Sequence, residues 1–357
     1  MKNKIYFLIP LSQIFLVLFS SYFFITETND SKSYYSIASN LPIITDSLFP
    51  ILYPSFLKLF YFFVGDFFVA SKVINIICIL LFFFMTKMHI AEWKSLWLLS
   101  LSWLFSSIFS YSWSEILLIP QLTLFFILQR RYWNNELIKT NVFILLYSVQ
   151  LFSLFLTKYS MLFIIIGTFV FGLLIYLHTN HKKHLIHIYS SIIAFFFCGA
   201  YVFTNYYFTS YFAGNREVLG EANTNIRLSL FNTLQAFNPF FSNLFGRMPF
   251  LLVSILFIFS IILYFIRASK MLKENKLENM YFIFLSFFYL ISLWIVYFYT
   301  RIDTLNIRLL FPFCFLFFLG LIANDYKIKY FKLFKYLLII MFILQIIISF
   351  NRINQYY

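Results

Sequence analysis

Long apolar runs recur along the whole chain, and short polar stretches separate them. The runs are about 15–20 residues long, which is what a helix needs to cross roughly 30 Å of hydrocarbon. They are uniformly apolar and lack the alternation of a barrel strand. In lipid, helices of this kind satisfy their own backbone hydrogen bonds. The pattern therefore predicts an all-α polytopic membrane protein, a single transmembrane domain over residues 1–357. About eleven spans are expected, near 5–25, 67–86, 94–111, 115–129, 141–157, 160–177, 185–206, 249–266, 280–299, 307–324 and 336–350. The third and fourth are short, and tilt or form a hairpin with Trp113 and Ser114 at its tip.

Two stretches between spans are longer than a connection requires, and such loops are often functional. Residues 26–66 carry Pro42, Pro50 and Pro54, which break helices and favour a shaped loop. Within them, Ile51 to Phe63 is apolar but short and holds Lys58, so it is expected to lie along the interface or re-enter. The other stretch, 207–248, mixes Arg216, Glu217, Glu221 and Arg227 with the apolar "LFNTLQAFNPFFSNLF". It is expected to act as a mobile lid that folds over an outer cavity when substrate binds. The alternative is a fixed amphipathic helix at the interface.

Composition narrows the class further. The chain is 62% hydrophobic and 24% aromatic with 11% charged residues, more apolar surface than a soluble domain of 357 residues could hide. Mean hydropathy is +0.84. The net charge of +14 is a topology signal rather than a nucleic-acid footprint. With the N-terminus cytoplasmic, the inner connections hold 17 of the 27 Lys and Arg residues. The inner cluster "YKIKYFKLFKY" also suits anionic head groups of membrane lipids. The first run lacks a clear cleavage site and reads as a span, not a cleaved signal peptide. Phe-rich spans of low complexity fit a genome biased to A and T, and so a bacterium.

Cys78, Cys198 and Cys314 fall inside apolar runs and read as small packing residues. His178, His181, His184 and His187, spaced by three beside Lys182 and Lys183, read as a collar at the cytoplasmic interface. No phosphate loop, nucleophile elbow or dinucleotide fingerprint is present.

The candidate chemistry sits where spans meet polar stretches. "TETNDSKSYYSIASN" brings Glu27 and Asp30 to the point where the first span ends. A carboxylate there can serve as a general base, or Asp30 can cap a helix beginning near Ser31. Glu115 opens the fourth span in "SWSEILL", where the helix dipole favours it, and Asp66 similarly opens the second. Lys158, Arg301 and Arg308 lie at span ends on that same side. Cations there can bind a phosphate or snorkel to head groups, and Asp303 offers Arg301 a local partner.

The order of "NDSKSYYSIASN", "LFPILYPSFLKLF", "VGDFFVASKVIN", "YSWSEILLIPQLTL", "FLTKYSMLF" and "NIRLLFPF" resembles the GT-C superfamily of integral-membrane glycosyltransferases. The resemblance implies a sugar moved from a polyprenyl-phosphate carrier to a hydroxyl acceptor (glycan, lipid or protein) at the outer face of the plasma membrane, with inversion. It implies Asp30 as the base, with Glu27 and then Asp46 as the next choices. Glu115, with Asp46, would position the acceptor or a metal ion. Lys158, Arg308 and Arg301 would hold the donor phosphate. Arg216 and Arg227 would belong to a substrate-covering loop. The chain departs from the family pattern in having Lys158 where Arg is common, and in lacking a tandem acidic pair in the first loop. One or two carboxylates do not make a metal site, so a divalent ion stays open as a cofactor. Two rivals remain: a Wzy-like polymerase of lipid-linked repeat units, using Arg216, Arg227 and Arg247, and a transporter or flippase. Against the second, no internal repeat is visible and Gly and Pro number only eight each.

Overall fold

The computed structural model describes residues 4–23, 26–90, 93–134, 139–180, 182–214, 226–237, 280–300 and 305–323. Among them every regular element is helical. The helices are α1 (Lys4–Phe23), α2 (Asn29–Asn40), α3 (Leu52–Val64), α4 (Phe67–His89), α5 (Trp93–Leu99), α6 (Trp103–Ser110), α7 (Glu115–Trp133), α8 (Thr140–Thr157), α9 (Leu162–Thr179), α10 (Leu185–Thr209), α11 (Ile226–Phe237), α12 (Tyr281–Thr300) and α13 (Ile307–Ala323). Among the described residues six helices are long and apolar enough to cross a membrane, or seven if the bent pair α6–α7 is one span. The expected spans 249–266 and 336–350 lie outside the described residues.

One expectation changes. The predicted span 94–111 is not one helix but two, α5 and α6, separated at Ser100–Ser102. Serines there bond locally: the Ser100 hydroxyl donates to the Trp97 carbonyl at 2.7 Å, and Gln13 of α1 donates to the Ser100 carbonyl at 2.9 Å. The Ser100 carbonyl at the buried break is thus satisfied inside the bundle. Helix α13 follows the expected 307–324 over its described residues, Ile307–Ala323, and ranks there among the shorter apolar helices. Helix α3 has 13 residues and ends at Gly65, whose φ of 72° suits the left-handed cap. It is too short to cross, as expected, and exposes Leu59, Phe62 and Phe63.

The core is aromatic. Phe105 of α6 meets Phe311 and Phe315 of α13 edge to face, and Phe82 of α4 packs on Trp97 of α5. α4 lies among α1, α3 and α7, while α10 packs on α8 and α9, and α12 on α13. Phe15, Phe196, Phe203 and Phe298 point outward, the surface a bilayer would cover. Cys78, Cys198 and Cys314 are free and buried.

The bend between α6 and α7 is 119°. Polar side chains of α4 hold it. Lys72 donates to the Ser110 carbonyl at 2.7 Å, and Asn75 donates to the carbonyls of Phe109 (2.7 Å) and Tyr111 (2.9 Å). A cation and an amide at the end of α6 satisfy carbonyls the helix leaves free. The chain then turns through Tyr111–Ser114 and starts α7 at Glu115.

Candidate functional site

The turn at 111–114 is stitched to the start of α2. The Ser112 amide donates to the Thr26 carbonyl at 3.2 Å, and the Ser31 hydroxyl donates to the Ser112 carbonyl at 3.0 Å. Trp113 Nε1 donates to Thr28 Oγ1 at 3.1 Å, and the Tyr34 hydroxyl lies 2.8 Å from Ser114 Oγ. Thr28 is also the N-cap of α2, in a reciprocal capping box with Ser31. This corrects the capping alternative for Asp30: the helix begins two residues earlier, at Asn29, and Thr28 caps it. Asp30 is left in the first turn with its carboxylate free to reach outward.

That carboxylate meets Arg308. Arg308 stands in the first turn of α13, which Asn306 caps by accepting from the Leu309 amide at 3.0 Å. Its NH1 pairs with Asp30 Oδ2. Its Nε and NH2 donate to Glu115 Oε1 and Oε2, each at 3.2 Å, a bidentate pair. The guanidinium lies 4.5 Å above the Trp113 ring, which stacks on Tyr111 at 4.3 Å.

Lys158 completes the group. The residue is extended between α8 and the turn Tyr159–Met161. Its Nζ donates to Glu115 Oε1 at 2.6 Å and to the Arg308 carbonyl at 2.9 Å. Neighbouring bonds fix this corner. Thr157 donates to Gln121 Oε1 at 2.9 Å, Tyr159 donates to the Ser47 carbonyl at 2.9 Å, and Tyr289 donates to the Leu309 carbonyl at 3.0 Å.

Four residues named from the sequence thus converge: Asp30, Glu115, Lys158 and Arg308. They come from four separate elements at one end of the bundle. Two carboxylates balance two cations. Side-chain exposure falls from 41% at Asp30, through 15% at Arg308 and 14% at Lys158, to 1% at Glu115. A carboxylate buried as deeply as Glu115 needs partners, and both its oxygens have them. Tyr34 lines the same place. Burial, and then the adjacent Glu115 charge, push its hydroxyl well above the ordinary tyrosine value, so it stays neutral.

The other named residues fall elsewhere. Glu27 is half-buried and its charge acts on Tyr35 and Lys72 rather than Arg308. The Tyr35 hydroxyl is pushed up to about 12, first by burial, with Ser112 and Ser71 opposing. Asp46 is exposed and accepts from the Leu48 amide at 2.8 Å, an Asx turn; it is not one of the residues paired with Arg308 or Lys158. Asp66 caps α4 by accepting from the Val69 amide at 2.8 Å. Arg216, Arg247 and Arg301 lie outside the described residues, as do 215–225 and 238–248 of the expected lid. Arg227 stands near the start of α11. That helix is docked on the entry to α13, where Asn232 donates to the Leu305 carbonyl at 2.8 Å and Ser229 accepts from its amide at 3.1 Å.

Expected metal positioning by Glu115 and Asp46 does not fit this geometry. Glu115 is taken up by two cations, and no described group of three or more His, Cys, Asp or Glu side chains could hold an ion. The histidine collar also needs correction. His187 is fully buried, 3.3 Å from Gln129, because Gly172 lets it sit tight against α9: a Cβ there would lie 2.7 Å from His187 Cβ. Sequence reasoning passed over Lys72 and Trp113 as parts of the site. The signal for Lys72 was present, a lone charge inside an apolar run.

No protein-family model matches this chain, nor does any curated protein or any solved structure.

Proposed function

We propose that the chain is a membrane glycosyltransferase that moves a sugar from a polyprenyl-phosphate carrier to a hydroxyl acceptor on a glycan, lipid or protein. The proposal includes eleven spans, a cytoplasmic N-terminus and a site on the outer side of the plasma membrane. One observation supports it above others: a half-exposed carboxylate, Asp30, shares a corner with Arg308 and Lys158, and these are held by the buried Glu115. The reaction needs those parts. The acceptor hydroxyl attacks the anomeric carbon from the face opposite the phosphate. Asp30 takes the hydroxyl proton as the new bond forms. The bond from the anomeric carbon to the phosphate oxygen breaks, and the carrier phosphate leaves with the electron pair. Arg308 and Lys158 stabilise the charge that builds on it. Trp113 and Glu115 position Arg308 and touch no reacting atom. Chemistry is assigned to these side chains alone.

The test is transfer itself. Purified protein in nanodiscs, given polyprenyl-phosphate sugars labelled in the sugar, should release free polyprenyl phosphate and pass label to an acceptor fraction from cell envelopes. Retention of all label on the carrier, across hexose and pentose donors, would remove this function.

A further inference from the structure

Arg308 divides its donors between two unequal carboxylates. Its Nε and NH2 edge faces Glu115, which is buried and is also held by Lys158 at 2.6 Å. Its NH1 faces Asp30, the most exposed member of the group. The Trp113 ring covers the guanidinium plane. Lys158 is engaged twice, on Glu115 and on the Arg308 carbonyl. Among the described residues, the one contact an arriving anion can replace without uncovering a buried charge is the contact between NH1 and Asp30.

We infer that Asp30 and the donor phosphate are alternative occupants of the NH1 corner of Arg308, so that donor binding itself releases Asp30 to act as base. This rests on the proposed transferase reading. While paired, Asp30 Oδ2 accepts an N–H from Arg308, so one of its oxygens is engaged and the carboxylate is held against the guanidinium. The phosphate brings a stronger multi-oxygen acceptor to the same donor. Asp30 can then rotate away while its backbone stays fixed by the Thr28 cap and the Ser31–Ser112 bond. The groups that face it afterwards are Arg308 of α13, Lys158 beyond α8, Glu115 of α7 and Tyr34 of its own helix. The consequence is an order of events: the carrier-linked sugar binds first, and the base is armed only in its presence. The ligand recognised is a phosphate anion, carried on a lipid or free.

The test uses the intact protein in zwitterionic nanodiscs and requires no turnover. Dicyclohexylcarbodiimide labelling of Asp30 is followed by peptide mass spectrometry, with Asp66 as internal reference. The probes are inorganic phosphate and a radiolabelled polyprenyl monophosphate without sugar, whose binding is measured in the same sample. A third arm replaces part of the nanodisc lipid with phosphatidylglycerol. The expected result is a several-fold faster labelling of Asp30 with polyprenyl monophosphate, and no change at Asp66. An equal rise with inorganic phosphate supports the exchange and identifies phosphate alone as the trigger. An equal rise with phosphatidylglycerol supports it too, with bulk lipid as the source. Unchanged or slower labelling with the probe bound overturns the inference, and so does failure of every anion to bind. Faster labelling without any sugar transfer would uphold the exchange and sink the transferase. Transfer without a change in labelling would do the reverse.

Discussion

Two of the polar groups among the described residues of this apolar bundle are built on different terms. At the α2 end, Asp30, Glu115, Lys158 and Arg308 form a charged group, closed on one side and open on the other. Roughly 20 Å further along α7, at about 1.5 Å per residue, lies a neutral group. There Tyr281 shares its hydroxyl with Tyr147 at 2.5 Å and Thr168 at 2.9 Å, and Gln129 meets His187 at 3.3 Å. Tyr147, Thr168, His187 and Tyr281 are all buried, amid Phe125, Phe143 and Phe171. A neutral hydroxyl network costs little to bury once bonded, and it fixes how α7, α8, α9, α10 and α12 pack. Four charges are a far more expensive way to fix packing, since each ion loses several kcal/mol of hydration on full burial. The charged group also keeps an exposed edge that packing alone does not require. On this asymmetry rests the proposal that the charged group is the working site.

The comparison can be broken by mutation. The largest effect is expected at Glu115→Gln. The amide keeps the shape but leaves Lys158 and Arg308 side by side without their buried counter-charge. We expect a loss of about 3–5 kcal/mol of stability, read as a large drop in the melting temperature of the detergent-solubilised protein; a melt within a degree or two of the parent would mean that Glu115 is not the anchor. Next comes Asp30→Asn. Asp30 is itself half-exposed, so stability should change by no more than about 1 kcal/mol, while transfer falls roughly 10²–10⁴-fold with loss of the base. Near-normal turnover in that variant would take Asp30 out of the mechanism.

The neutral group should answer in the opposite way. Tyr281→Phe removes the shared hydroxyl and should cost about 1–3 kcal/mol of stability, with turnover per folded molecule unchanged. A selective loss of turnover there would erase the distinction between the two regions. The smallest effect is expected at Asp66→Ala. It removes the α4 cap for about 1 kcal/mol and should leave both groups as they are, as judged by melting and by transfer rate.

Much of the charged group was legible in the sequence. In a chain with 11% charged residues, Glu115, Lys158 and Arg308 stand out at the edges of apolar runs, and Asp30 follows the first run directly. What the linear pattern could not give was who pairs with whom. Thr28 rather than Asp30 caps α2, because capping depends on a hydroxyl reaching back to Ser31 and not on charge alone. Glu115 pairs with two cations, because the end of α8 and the start of α13 both lie against the start of α7. The break within 94–111 hides in a run that, after Lys94, is apolar except for serines, whose local hydrogen bonds carry no hydropathy signal. His187 looked like part of a surface collar by spacing, yet the space that Gly172 leaves lets it turn inward.

The central claim is that the group around Arg308 receives the phosphate of a lipid-linked sugar. A cryo-electron microscopy map of the protein in nanodiscs with a polyprenyl-phosphate sugar tests it most directly. The account predicts phosphate density within hydrogen-bond reach of Arg308 NH1, Asp30 rotated off that nitrogen, and the Glu115 contacts to Arg308 and Lys158 intact. Phosphate density elsewhere, with Asp30 still paired to Arg308, would contradict it.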